Sequence, residues 1–227
     1  MGSFIERDSF KTVVFDMFKN KAININFEKL FKLSSGVESP LYIEASVLIS
    51  DSWTRAKVSG ALLFWINEQC SLKGAKIDAV VGIAQGGIVW ASSIANNKSL
   101  PLLYAFARPK DHGLFNQVAG DLREAIRNED KDTYNVIVVD DAITTGYSAI
   151  EVVKALQKGM NGKKVEVLGV YSIFDWNFPD VNQSFKDLGI DKKCLVSVDQ
   201  LLDYGVDKGH LDVETVERLR EYYRNRK

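Results

Sequence analysis

Two adjacent carboxylates stand at the end of an apolar run, and a short hydroxyl-rich stretch follows them. Val136-Ile137-Val138-Val139 leads into Asp140-Asp141, and Ala142-Ile143-Thr144-Thr145-Gly146 comes next. Threonine hydroxyls, a glycine that allows close backbone approach or positive φ, and main-chain N–H groups at a helix start make an anion cradle suited to a phosphate monoester. Adjacent aspartates would repel that phosphate. They suit ribose hydroxyls, a divalent cation, or the positive charge that grows on a sugar carbon. The string is therefore read as a site for a phosphorylated ribose. A simpler reading is a solvated Asp-Asp turn with Thr caps on the next helix. The run of strand, acid pair, hydroxyl loop and helix favours the ligand.

Three other stretches could take part. Gly82-Ile83-Ala84-Gln85-Gly86-Gly87 also lies between a predicted strand and a predicted helix, where glycines let N–H groups meet a pyrophosphate. Alone it is weak, because such turns also arise from packing. Beside the first loop it supplies a second anion site, for the diphosphate end of a sugar phosphate. Residues 108–118, RPKDHGLFNQV, carry Lys110 and His112 in a polar, Gly-containing segment. A lid with those charges would neutralise a departing pyrophosphate and exclude water; taken alone, a solvated surface loop is the simpler reading. Phe31-Lys32-Leu33-Ser34-Ser35-Gly36, followed by Ser39-Pro40-Leu41-Tyr42, reads as a strand, a turn and a strand ending in an aromatic residue.

The elements that must position these groups follow from periodicity. Helical spacing covers residues 8–20, with Asp8 or Ser9 as N-cap, and residues 52–70, whose apolar face is Trp53, Val58, Ala61, Leu62, Trp65 and Ile66. Strands are predicted at 78–84, 102–106, over the apolar run 136–139 that ends at Asp140 and Asp141, and at 165–174, with a short last one at 194–197. Helices are predicted at 88–95, from about Ser148, at 178–188 and at 212–224. Residues 26–50 read as short strands and turns, 107–121 as loop, and 122–133 as a solvated segment. Strands alternating with helices imply an α/β fold: a mostly parallel sheet with helices on both faces, plus a small N-terminal hood. The expected organisation is residues 1–50 as helix and hood, 51–175 as core and 176–227 as a C-terminal extension packed on the core, in one structural domain. Trp53, Trp65 and Trp90 read as core, Met17 and Met160 as core or gap-fillers, and His210 as surface.

Composition narrows the class. The 227 residues suffice for one sizeable α/β core. With 29 basic and 30 acidic residues there is no electrostatic case for nucleic acid or an anionic membrane. Two distant cysteines and two histidines suggest a reducing compartment and no structural zinc. No apolar run reaches the ~18 residues needed to span a bilayer. The start, MGSFIERDSF, lacks a basic segment followed by an apolar one, so no signal peptide is expected. These readings point to the cytoplasm.

VIVVDDAITTG resembles the phosphoribosyl pyrophosphate motif of the type I phosphoribosyltransferases. The segment from Lys110 through His112, Gly113, Asn116 and Gln117 to Gly120 is similar to the lid of the orotate phosphoribosyltransferases, and residues 31–42 resemble their hood. The resemblance implies transfer of a phosphoribosyl group from phosphoribosyl pyrophosphate to orotate, giving orotidine 5′-monophosphate in pyrimidine synthesis. It implies that Asp140 and Asp141 contact the ribose hydroxyls, and that Lys110 and His112 act on the leaving group. Gln85, Gly86, Gly87, Arg108, Ala142, Ile143, Thr144, Thr145 and Gly146 would bind the donor. Phe31, Ser34, Ser35, Gly36, Tyr42, Thr144 and Trp176 would bind the base. Mg2+ would be held mainly by substrate oxygens, near Asp140 and Asp141. A homodimer sharing the lid is implied, with no nucleic acid or membrane partner. Three positions depart from the common pattern, with Ser46, Phe106 and Trp176 where many members carry Arg. Two other readings share the main motif: transfer to another base, and a weakly active paralogue that binds phosphorylated ribose as a regulator.

Overall fold

In the computed structural model, the described residues are 4–33, 35–109, 117–122, 131–160 and 162–225, with side chains from residue 10 onward. Their contacts divide the chain into two compact units: Met1–Lys57 with Leu195–Lys227, and Val58–Cys194. Residues from Leu195 onward thus group with the N-terminal segment.

The first unit opens with α1 (Phe4–Lys19), which starts earlier than predicted, and buries Val13, Val14 and Met17. Four short strands follow: β1 (Ile23–Ile25), β2 (Phe31–Lys32), β3 (Glu38–Ser39) and β4 (Leu41–Ile43). β1 pairs with β4 and β2 with β3, both antiparallel, so the hood is two small ribbons. A short helix, α2 (Ser46–Ser50), was read from sequence as turn; it buries Leu48. α3 (Ser52–Lys73) begins in this unit.

The second unit carries a six-stranded sheet, in the order β10-β9-β8-β5-β6-β7. Its central strands are β5 (Ala79–Ile83), β8 (Thr133–Ile143) and β9 (Lys164–Asp175). β6 (Leu102–Ala105) and β7 (Val118–Ala119) lie toward one edge, and β10 (Lys192–Ser197) forms the other. β5 runs parallel to β6 and β8, and β8 parallel to β9, while β6 and β7 pair antiparallel. The β5 side chains are all buried, as expected of a strand covered on both faces. The crossover helices are α4 (Gly86–Lys98), between β5 and β6, and α5 (Tyr147–Gln157), between β8 and β9; α6 (Pro179–Asp187) connects β9 to β10. The mostly parallel α/β sheet matches the sequence reading.

After β10 the chain forms α7 (Val198–Asp207) and α8 (Val213–Arg224). α7 had not been read from sequence, although Ser197 and Gln200 form a capping box at its start. Trp53 corrects another expectation, being 79% exposed. Its N–H and that of Thr54 donate to the capping Asp51 carboxylate (2.9 and 3.1 Å), so it lies in the first turn of α3. The buried stripe runs instead through Thr54, Val58, Leu62 and Ile66. Trp65 is half-buried, and Trp90 has no exposure. His210 is exposed and stacks on Phe18, with ring centroids 4.5 Å apart.

Candidate active site

Because β5 and β8 are parallel neighbours, with Gly82 opposite Val139, their carboxyl ends lie side by side. The two glycine-bearing loops leave the sheet there, where ligands bind in open α/β folds. β8 runs further than expected. Ala142 and Ile143 pair with Phe174 and Asp175 of β9, so the loop is only Thr144 to Gly146, and Asp140 and Asp141 lie within the strand. The reason is β9, whose partner edge continues to Asp175 and supplies hydrogen bonds that far.

Gly86 and Gly87 start α4 against the acids. A Cβ on Gly86 would lie 2.2 Å from the Asp141 carboxyl carbon, and one on Gly87 would lie 2.3 Å from the Val139 carbonyl oxygen. Any side chain at either position would push α4 off β8. The glycine pair therefore lets a helix N-terminus, with its unpaired N–H groups and positive dipole end, abut the Asp141 carboxylate. Gln85 at the helix start is exposed, and the Ala84–Gln85 peptide is cis.

The two acids differ in surroundings. Asp140 is 6% exposed and Asp141 half-buried. The Asp141 N–H donates to Asp140 Oδ1 (3.0 Å), and the Ala142 N–H donates to Asp141 Oδ1 (2.9 Å). Burial, then the neighbouring Asp141 charge, pushes the Asp140 carboxyl well above the ordinary carboxylate range. A ribose hydroxyl donating to this pair, or a cation beside it, would relieve that penalty.

Gly146 has φ +69° and is buried. A Cβ there would meet Val181 at 2.9 Å and Phe185 at 3.1 Å, so α6 packs directly on the loop and only glycine fits. α5 begins at once, leaving its first-turn N–H groups beside the half-buried Thr144 and Thr145. Arg108, four residues after the exposed Tyr104, sets its guanidinium 5.9 Å from the centre of the Tyr147 ring. A cation thus stands at the start of α5. Tyr147 was missed by sequence reasoning; its signal was its place directly after the TTG loop. Gln117 reaches the carbonyls of Ala107 (3.4 Å) and Glu151 (3.3 Å), tying the segment after β6 to α5. Lys110 and His112 fall outside the described residues, as does Ser34.

In the first unit, Phe31 and Tyr42 lie with ring centroids 5.6 Å apart and planes tilted 31°. Gly36 turns the hood ribbon at φ +85°, its N–H donating to Leu33 O (2.8 Å). The Ser35 hydroxyl is buried, without a hydrogen-bond partner among the described residues. Trp176 is 4% exposed and meets Phe174 edge-on at 4.8 Å, while its N–H donates to Ile143 O (3.0 Å). Little of its ring is open to a ligand. Two further residues were missed. Lys192 pairs with the buried Asp175, whose other oxygen accepts from the Asn177 N–H (2.7 Å), and this pair anchors the end of β9 next to Ile143. Seventeen residues separate them, and no sequence signal joins them. Ser46, at one of the departing positions, donates its hydroxyl to Glu44.

The sequence pattern of the phosphoribosyl transferase domain family matches residues 49–175. An orotate phosphoribosyltransferase of Bacteroides fragilis is 30% identical over 206 residues, 91% of this chain and 90% of its own. Among solved structures, orotate phosphoribosyltransferase from Aeropyrum pernix superimposes with a TM-score of 0.64 at 25% identity, over 84% of this chain and 97% of its own. UMP synthase of Leishmania donovani shares the fold, with a TM-score of 0.72 at 20% identity over 98% of this chain. This chain spans 43% of that longer one.

Proposed function

Since the chain belongs to the phosphoribosyl transferase family, we propose that it transfers the phosphoribosyl group of phosphoribosyl pyrophosphate to orotate, yielding orotidine 5′-monophosphate and pyrophosphate in pyrimidine synthesis. The observation that carries the reading is the junction of β5 and β8. There the Asp141 carboxylate occupies the space that a Cβ on Gly86 would fill, so two glycine-bearing loops flank one acid pair. That spacing suits a sugar with phosphate at one end and diphosphate at the other. The full-length similarity to the Bacteroides enzyme supports orotate as the base.

In this reading Thr144, Thr145 and the N–H groups that follow Gly146 hold the 5-phosphate, with Ala142 and Ile143 shaping the approach and Arg108 adding charge. Gln85, Gly86 and Gly87 present α4 to the diphosphate. Asp140 and Asp141 accept hydrogen bonds from the ribose hydroxyls and stabilise the positive charge that develops as pyrophosphate departs and the pyrimidine nitrogen attacks the anomeric carbon. Lys110, with His112, neutralises the leaving group. Phe31, Tyr42, Ser34, Ser35 and Gly36 hold the base, the rings by stacking. Trp176 acts through the strand end that it ties to Ile143.

Among the described residues, no cluster of three or more His, Cys, Asp or Glu side chains forms a metal cage. The acid pair, with Asp140 buried and Asp141 half-buried, does fit a cation held mainly by substrate oxygens, as the preference of Mg2+ for phosphates leads one to expect. When bound, Mg2+ would neutralise diphosphate charge. Free Cys70 and Cys194 accord with a cytoplasmic setting.

The deciding experiment follows orotate absorbance with phosphoribosyl pyrophosphate and Mg2+, beside a panel of other bases. Consumption of orotate is expected. Turnover of another base with none of orotate would reassign the acceptor, and donor binding with no turnover of any base would make the chain a ligand-binding paralogue.

A further inference from the structure

The C-terminal helix α8 grips the hood at three points. Its start is fixed by Asp212, which accepts from the Thr215 N–H (2.6 Å). Arg218 then lies over the Phe27 ring, 4.0 Å from its centre. One turn on, the Tyr222 hydroxyl donates to the Glu38 carbonyl (3.0 Å). The Tyr223 hydroxyl lies 2.9 Å from Ser39 Oγ. Ser39 is 1% exposed, and its own hydroxyl proton goes to the Leu41 carbonyl (2.7 Å). Tyr223 is then the donor in its bond to Ser39.

The register makes these contacts consequential. Ser39 is paired directly with Phe31, and Glu38 with Lys32. Ser39 Oγ also accepts from the Leu41 N–H (3.1 Å), the residue before Tyr42. One buried hydroxyl thus joins Tyr223 to the strand partner of Phe31 and to the residue before Tyr42. The β2–β3 ribbon has only two residues in each strand. Ribbons that short are barely stable by themselves. Tyr42 is held by the pairing of β4 with β1, while the β2–β3 ribbon that carries Phe31 is reached by α8 through Tyr222 and Tyr223.

We infer that Tyr222 and Tyr223 are positioning residues for base binding, acting through Ser39 and Glu38 on the Phe31–Tyr42 pair without touching substrate. The inference rests on the proposed role of that pair in holding the base. It concerns the acceptor alone, since the groups assigned to the donor lie on other elements.

The test is steady-state kinetics of full-length Tyr223→Phe, which removes one hydroxyl and keeps the ring. The expected result is a KM for the base raised about three- to tenfold, the worth of one hydrogen bond. The KM for phosphoribosyl pyrophosphate and kcat should stay within about twofold, the mark of an effect confined to base binding. In a double-mutant cycle with Ser39→Ala the effects on base KM should be less than additive, because both variants break one contact. Tyr222→Phe should raise base KM in the same way, and serves if Tyr223→Phe is insoluble. Unchanged base KM in both variants, or an equal rise for both substrates with a lowered melting temperature, would overturn the inference while leaving the transferase reading intact. A parent chain that turns over no base would sink the reading and the inference together.

Discussion

At the scale of single residues, the site is an electrostatic compromise. Asp141 lies against the start of α4 and can act as a charged acceptor. We expect Asp141→Asn to lower kcat/KM at least about tenfold, or roughly 1.4 kcal/mol of barrier, with circular dichroism unchanged; full activity in the variant would remove Asp141 from its role. Asp140 offers a different measurement. Its carboxyl binds a proton more tightly folded than unfolded, because burial and then the Asp141 charge penalise its anion. Its contribution is therefore favourable at low pH and is lost as pH rises through the raised folded value. Asp140→Asn should melt above the parent near neutral pH. The gap should close as pH falls toward about 4, the ordinary carboxylate value. A melting difference that does not vary with pH would contradict the burial argument. Activity should fall in the same variant.

At the scale of elements, two joints hold the loop from Thr144 to Gly146, to which we assign the donor phosphate. The first is Gly146, where α6 packs on the turn through Val181 and Phe185 and the backbone takes positive φ. Gly146→Ala meets both obstacles. It should cost more than about 1 kcal/mol in urea unfolding and raise the KM for phosphoribosyl pyrophosphate more than that for the base. The second is the Lys192–Asp175 pair, with side chains only 8% and 2% exposed. Removing one partner strands a buried charge, so Lys192→Met should destabilise by about 3–5 kcal/mol. A loss below about 1 kcal/mol, the level of a surface pair, would show that water reaches Asp175. These joints explain why β8 outran its sequence prediction. Asp and Thr residues near a glycine read as turn, but β9 offers hydrogen-bonding partners as far as Asp175. α7 shows the opposite case: its capping box was legible and was passed over.

At the scale of the whole molecule, the chain divides into a sheet-bearing unit and a unit built from its two ends. Leu102 and Tyr104 of β6 are both 39% exposed. The proposal that the chain forms a homodimer sharing the lid makes a specific demand. Lys110→Ala and Asp141→Asn chains, each weakly active, should regain activity when unfolded and refolded together, because mixed dimers hold one site with both groups intact. No recovery, or a sedimentation mass of one chain under assay conditions, would argue for sites complete within single chains.

The sequence by itself determined the donor chemistry. VIVVDDAITTG and GIAQGG each carry a strand, a glycine-bearing turn and a helix start in contiguous residues, and local periodicity with turn chemistry suffices to read them. It also determined the parallel α/β class, through the alternation of strands and helices. What only the tertiary structure decided were relations between distant residues. The need for Gly86 and Gly87 comes from Asp141 and Val139, more than 50 residues on. The proton affinity of Asp140 comes from burial, which no local pattern records. The hold of Tyr223 on Ser39 spans 184 positions. In each case the deciding quantity is steric exclusion, desolvation or one hydrogen bond between segments, and these exist only once the chain has brought the segments together.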